Sequence, residues 1–224
     1  MNVLVVFAHA ESKSVNGALF YTSVDAFRGA GHEVKTSDLY SMEYDRVSDR
    51  RNFTTVRDAE YFSQQREEAH ATRNDGCTPS LDAEIAKIEW CDPMIWQFPL
   101  WWFGVPGILK GWIDRSFPIG QTYGGGRAFE TGEFNGKRAL LSLTTGANED
   151  AWADGILGDI DRALWPIQFG ILGFLGFQVF KPNVVFGPAR MSDAQRAQAL
   201  ALYRSRLATL ADETPIKLIG GNPA

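Results

Sequence analysis

Val3 to Phe7 is an unbroken apolar run the length of one strand, and Pro93 to Phe98 is a second, interrupted only by Gln97. A strand with one wetted face alternates polar and apolar residues, whereas one apolar throughout belongs in a parallel sheet covered on both sides. Parallel neighbours need a crossover, usually helical, between them. A chain built on such runs should therefore alternate strands with helices.

The intervening segments fit that demand. After the polar loop Ala8 to Ser14, Phe20, Val24 and Phe27 recur at helical spacing, with Gly29 and Gly31 near the end. Glu33 to Ser37 reads as the next strand. Residues 42–79 are polar and irregular, with a helix expected around Asp58 to Ala71. Leu81, Ile85 and Ile88 mark an amphipathic helix with Ser80 as its expected N-cap. Pro106 suits the first turn of a helix running to about Ser116. Residues 118–136 read as a surface loop, Arg138 to Leu143 as a strand, and Leu157 to Leu175 as a buried stretch whose first half is helical. Gln178 to Phe186 is the expected last strand. Ser192 and Gln195 form a capping-box pair opening a final helix, on which Leu200, Tyr203, Leu207 and Leu210 share a face. Five strands alternating with helices predict an α/β doubly wound parallel sheet of flavodoxin-like order 2-1-3-4-5. No repeat or linker divides the chain, so one domain over 1–224 is expected.

Composition removes other classes. With 45% hydrophobic and 22% charged residues, the 224-residue chain reads as a soluble globular protein. Its net charge of -5 argues against a nucleic-acid partner, since a phosphate backbone gains nothing from it. No apolar run approaches the roughly 20 residues of a membrane span, and the start lacks the basic region of a signal peptide. Cys77 and Cys91 are too few and too far apart for a metal cluster or disulfide scaffold, so free thiols in a reducing cytoplasm are expected. Seven Trp and fifteen Phe exceed ordinary core needs and can serve as stacking surfaces for flat ligands.

Ligands of a doubly wound sheet bind outside the carboxyl ends of its strands, and three loops there are unusual. In the first, His9, Ser14 and Asn16 can donate to phosphate oxygens beside a helix N-terminus. Ser14 or Asn16 can equally be a plain helix cap, and His9 a structural histidine. The second, Gln97 to Phe103, sets a proline and three aromatics at a strand end. A core or dimer-surface role suits Trp101, and a flat-ligand platform suits Trp102 and Phe103. The third, Thr144-Thr145-Gly146-Ala147, offers hydroxyls and amides to a heterocycle edge, although turns also use these residues. No G-x-G-x-x-G follows the first strand and no P-loop is present, which argues against a resident Rossmann nicotinamide cofactor. His32 and His70 lie apart from these loops and read as surface residues.

Several blocks resemble the NAD(P)H:quinone oxidoreductase family. They are Phe7-Ala8-His9 with Ser14-x-Asn16, then Ser37-Asp38-Leu39-Tyr40, then Gln97-Phe98-Pro99-Leu100-x-Trp102-Phe103-Gly104-Val105-Pro106 running on to Trp112. Leu141-Ser142-x-Thr144-Thr145-Gly146, the block Leu164 to Phe177, and Asp212-Glu213-Thr214-Pro215 complete the match. The resemblance implies FAD held between two subunits of a homodimer, with NAD(P)H as co-substrate. It implies a ping-pong reaction that delivers two electrons to a quinone-like acceptor, azo or nitroaromatic compounds included. By position, His9, Lys13, Ser14, Val15, Asn16 and Ala18 would hold the phosphate and adenine side, with Asp114 and Arg196 helping. Lys13 replaces the family's threonine. Pro99, Leu100, Trp101, Trp102, Phe103, Thr144, Thr145, Gly146 and Ala147 would line the flavin ring. Trp102, Phe103, Tyr123 and Phe174 would border the acceptor, the last two from the partner chain. Catalysis would fall to Gly146, Ala147 and Tyr123.

One stretch departs from the family. Where mammalian members place a tyrosine and a histidine beside the flavin, residues 148–159 offer no tyrosine, and Leu157 stands at the histidine's place. Charge on the reduced ring would then rest on the amides around Gly146 and Ala147. Two further readings of this fold are a flavin-binding regulatory subunit of a bacterial potassium efflux system and a one-electron FMN carrier. Against the carrier stand the missing Ser/Thr-rich phosphate loop and the lack of a strongly acidic surface.

Overall fold

A computed structural model describes residues 1–153 and 155–218. Asp154, within the stretch that departs from the family, lies outside the described residues. β1 (Asn2–Phe7) lies between β2 (Glu33–Asp38) and β3 (Pro93–Pro99), and β3 pairs with β4 (Arg138–Thr145). β4 then pairs with both β5 (Gln178–Val179) and β6 (Asn183–Phe186), and every pairing is parallel. The order is 2-1-3-4-5, as the alternation of elements predicts.

β1 shows why an all-apolar strand needs two covers. Val3, Val5 and Phe7 face one core, with Leu19, Phe20, Val24 and Phe27 of α1 (Val15–Gly29) and Tyr203 and Leu207 of α6 (Asp193–Ala208). Leu4, Val6 and Ala8 face the other core. There Ile88 of α3 (Pro79–Trp90), Trp112 of α4 (Gly107–Ser116) and Leu164 of α5 (Ile160–Ile167) cover them. β2, at the sheet edge, alternates exposure instead, with Glu33 and Lys35 outermost. Each large apolar side chain removed from water in this way contributes about 1.5–3 kcal/mol.

The structure corrects three local expectations and bears out a fourth, the helical first half of Leu157 to Leu175, as α5. The last strand is broken: Phe180 still donates its N–H to Ala139 O, but Pro182 has none to continue the ladder, and pairing resumes only at Asn183. The helix expected from Asp58 is α2 (Gln64–Ala71) alone. The Asp58 carboxylate accepts from the N–H groups of Glu60 and Tyr61, and Glu67 accepts from those of Arg57 and Asp58, so these donors are already taken. α3 starts one residue before Ser80, at Pro79, with Thr78 rather than Ser80 as its cap residue. After α5, Pro166 having removed one helical donor, residues Gln168–Gly173 widen into a π-helical turn, with Phe174 N–H bonding five residues back to Phe169 O. No described helix is long and apolar enough to cross a membrane.

Candidate active site

The loop after β1 folds back onto the start of α1. Ser14 caps the helix, its Oγ accepting from Gly17 N–H at 3.1 Å. The backbone N–H of Glu11 donates to His9 Nδ1 at 3.0 Å, with the Ser14 hydroxyl 3.1 Å from the same nitrogen. Glu11 O also lies 3.0 Å from this nitrogen, so the partner that Nδ1 engages follows the ring's tautomer. No acidic residue stands in the first turn of α1, so the positive end of that helix is left for an anion. Gly17 makes the fold-back possible, since a Cβ there would lie 1.9 Å from Ser12 O.

Two strand ends and the first turn of α1 are tied together at the floor. Buried Gln97 at the end of β3 donates from Nε2 to Asn16 Oδ1 (2.9 Å), and Asn16 Nδ2 donates to Thr144 Oγ1 of β4 (2.8 Å). Because Thr144 Oγ1 accepts from Asn16, its own proton is free to point elsewhere. Gln97 Oε1 is buried without a partner among the described residues.

The aromatic wall is a tight turn. Trp101 and Gly104 exchange both backbone hydrogen bonds, at 3.0 and 2.9 Å, and the two residues between them have positive φ, 51° at Trp102 and 59° at Phe103. That is the geometry of a primed two-residue hairpin turn, ordinarily made by Asn-Gly. Here it holds Trp102 almost fully in solvent, at 99% exposure, while Phe103 leans edge-on against buried Trp152. Opposite, Thr145 Oγ1 donates to Ala147 O at 2.7 Å. Among the described residues, the backbone N–H groups of Gly146 and Ala147 have no protein acceptor.

Together these pieces enclose an open cleft of about 650 Å³. It is lined by His9, Lys13, Ser14, Val15, Asn16, Pro99, Leu100, Trp101, Trp102, Thr144, Thr145, Gly146 and Arg196. Pro188 and Ala189 also line it and were missed from the sequence. Their signal was the turn dipeptide Gly187-Pro188 at a strand's carboxyl end. The cleft size is that of a small-molecule site. An anionic group fits the helix end and a flat ring fits the wall of aromatics and amides.

A family model described as the flavodoxin-like fold matches residues 1–207. NAD(P)H dehydrogenase [quinone] 1 of Cavia porcellus is 40% identical over 95% of this chain and 78% of its own length. The chain belongs to the NAD(P)H:quinone oxidoreductase family. Ribosyldihydronicotinamide dehydrogenase [quinone] of Mus musculus is 39% identical, covering 96% of this chain and 94% of its own. A crystal structure from Klebsiella pneumoniae, described as a candidate quinone reductase, superposes with a TM-score of 0.93 at 37% identity, over 96% of this chain and 87% of that one.

Within one chain, some residues that the family resemblance singles out stand away from the cleft. Asp114 is exposed on α4, paired with Lys110 at 2.5 Å. The Ala18 N–H is used inside α1, donating to Ser14 O. Tyr123 and Phe174 pack edge-on, their centroids 5.8 Å apart, and burial pushes the Tyr123 phenol up from its ordinary pKa. Leu157, at the family's histidine position, is half-buried against the core, its N–H donating to Ala151 O.

Proposed function

We propose that this quinone oxidoreductase family member uses FAD to reduce quinone-like acceptors, azo and nitroaromatic compounds among them, with NAD(P)H as the donor. The observation that carries the reading is one cleft joining the N-terminus of α1 to Trp101 and Trp102 of the aromatic turn and to Thr144, Thr145 and Gly146. His9, the Val15 and Asn16 amides and Lys13 would hold the pyrophosphate. Leu100, Trp102 and the Thr144 to Ala147 loop would orient the ring. The flavin, when bound, supplies reversible two-electron hydride chemistry. The protein's part is to stack nicotinamide and acceptor in turn over one face, keep water out, and hold donors where negative charge develops. Two electrons and one proton leave NAD(P)H as hydride, and one further proton from solvent completes a hydroquinone.

The functional unit in this reading is a cytoplasmic homodimer. Trp101, Trp102 and Phe103 leave an apolar surface at the aromatic turn, with Trp102 almost fully exposed, and a second copy would cover it. Tyr123 and Phe174 would then border the acceptor from the partner. The efflux-subunit alternative draws no support from relatives that are named as dehydrogenases.

A visible spectrum of the purified protein, repeated after anaerobic addition of NADPH, tests the proposal. A flavin band that bleaches, FAD in the denatured supernatant and turnover with menadione are the expected results. A colourless protein that takes up no FAD, or a bound flavin with no turnover on any acceptor, overturns it.

A further inference from the structure

The turn after β6 is built onto the Thr145–Asn148 loop rather than merely beside it. Gly187 N–H donates to Thr145 O at 3.0 Å, and Gly187 adopts a left-handed φ of 55°. A Cβ on Gly187 would lie within 3.2–3.3 Å of Asn148 N and of Ala147 C and O. From the same turn, Arg190 Nη1 donates to Gly146 O at 2.6 Å. Arg190 lines a second groove, with Asn148, Glu149 and Asp150, and does not line the cleft in which Gly146 sits. The peptide joining Gly146 to Ala147 is trans, so its C=O and N–H point in opposite directions. Fixing the carbonyl toward Arg190 therefore fixes the Ala147 N–H toward the other side, away from the groove that Arg190 lines. Gly146 has no side chain to restrain that peptide, and nothing lies within 4 Å of where its Cβ would be.

We infer that Arg190 is a positioning residue: its guanidinium clamps and polarises the Gly146–Ala147 peptide so that the Ala147 N–H serves as the donor for negative charge on the reduced ring. The inference rests on the flavin reading above. It gives a physical answer to Leu157, which cannot supply the cation or donor of the family's histidine. A carbonyl held by a cationic donor makes its own peptide N–H a stronger donor. The effect runs through the hydrogen bond, because a solvent-exposed charge acting through space is heavily screened.

The test compares wild type with Arg190→Met, Arg190→Lys and Arg190→Gln by titrating the apoprotein with oxidised FAD and measuring the two-electron midpoint potential of the bound flavin. Wild type failing to take up FAD defeats the flavin reading itself, and this inference with it. With FAD bound, Arg190→Met should keep oxidised-FAD affinity within about threefold and weaken reduced-FAD affinity a further tenfold. That tenfold loss equals a fall of about 30 mV in midpoint potential. Lys and Gln, which retain a donor for Gly146 O, should recover at least half of the fall. An unchanged potential in Arg190→Met sinks the inference while leaving the flavin reading intact. Equal loss of oxidised and reduced affinity, which would mark general loop damage, sinks it as well.

Discussion

At Gly17 one hydrogen atom stands where any other residue would put a carbon. Alanine in a helix interior usually stabilises relative to glycine by about 0.5–1 kcal/mol. Here the added Cβ would overlap Ser12 O, so the sign reverses. Gly17→Ala is expected to lower stability by about 1–3 kcal/mol in urea unfolding and to weaken the proposed FAD uptake, because the loop after β1 must move off the helix. A stabilised variant with unchanged uptake would refute the close approach. The two cysteines behave oppositely to site residues. Burial pushes the Cys77 thiol up to about 11 and that of Cys91 to about 12, both far from the thiolate form at neutral pH. Native protein should resist iodoacetamide at pH 7 and label at both positions in urea, which mass spectrometry of labelled peptides would reveal.

Among the elements, the Trp101–Gly104 turn keeps two aromatics in a backbone region that costs about 1–3 kcal/mol per non-glycine residue. Replacing the pair by the residues this turn prefers, Trp102→Asn with Phe103→Gly, should raise the melting temperature while weakening flavin binding and acceptor turnover. If calorimetry shows a lower melting temperature, the turn is not strained in the way its dihedrals suggest. The opposite face depends on a buried carboxylate. Glu84 on α3 accepts from Ser37 Oγ of β2 (2.6 Å), Trp112 Nε1 of α4 (2.8 Å) and Lys87 Nζ (2.6 Å). Glu84→Ala leaves the Ser37 hydroxyl and Trp112 Nε1 without this acceptor and takes the counter-charge from Lys87, which keeps only Thr36 O and Ser37 Oγ. A loss of about 3–5 kcal/mol in the urea unfolding free energy is expected.

For the molecule as a whole, pH and assembly offer separate readings. Burial raises the carboxyl of Glu68, against the opposing hydrogen bonds from Gln64 and the Ile119 N–H. A carboxyl raised in the folded state holds its proton longer there than in the unfolded chain. Its stabilising contribution is therefore full below the ordinary carboxylate pKa and is lost as pH rises through the raised value. Glu68→Gln keeps an acceptor for Ile119 and removes the titration. Its melting temperature relative to wild type should climb as pH rises from about 4 to about 7, and parallel curves would contradict the assignment. The apolar surface at Trp101, Trp102 and Phe103 predicts a particle of twice the chain mass by light scattering, with Trp102→Glu shifting it toward the monomer.

Much of this was legible in residue order because it depends on local periodicity. Val3–Phe7 had to be covered on both faces, Phe20, Val24 and Phe27 had to share one, and Ser192 with Gln195 had to open a helix, whatever lay elsewhere in the chain. That these three loops would meet at one cleft was legible as well, since strand ends in such a sheet converge on one edge. Long-range contact decided the rest. Asn16, Gln97 and Thr144 become one network only when three parallel strands stand in register. Arg190 reaches Gly146 across 44 residues of chain. The positive φ of Trp102 and Phe103 runs against their own preferences and is held by bonds between Trp101 and Gly104. Local pattern carries each residue's own backbone preference and face, whereas distances between segments far apart in the chain exist only once the sheet has closed.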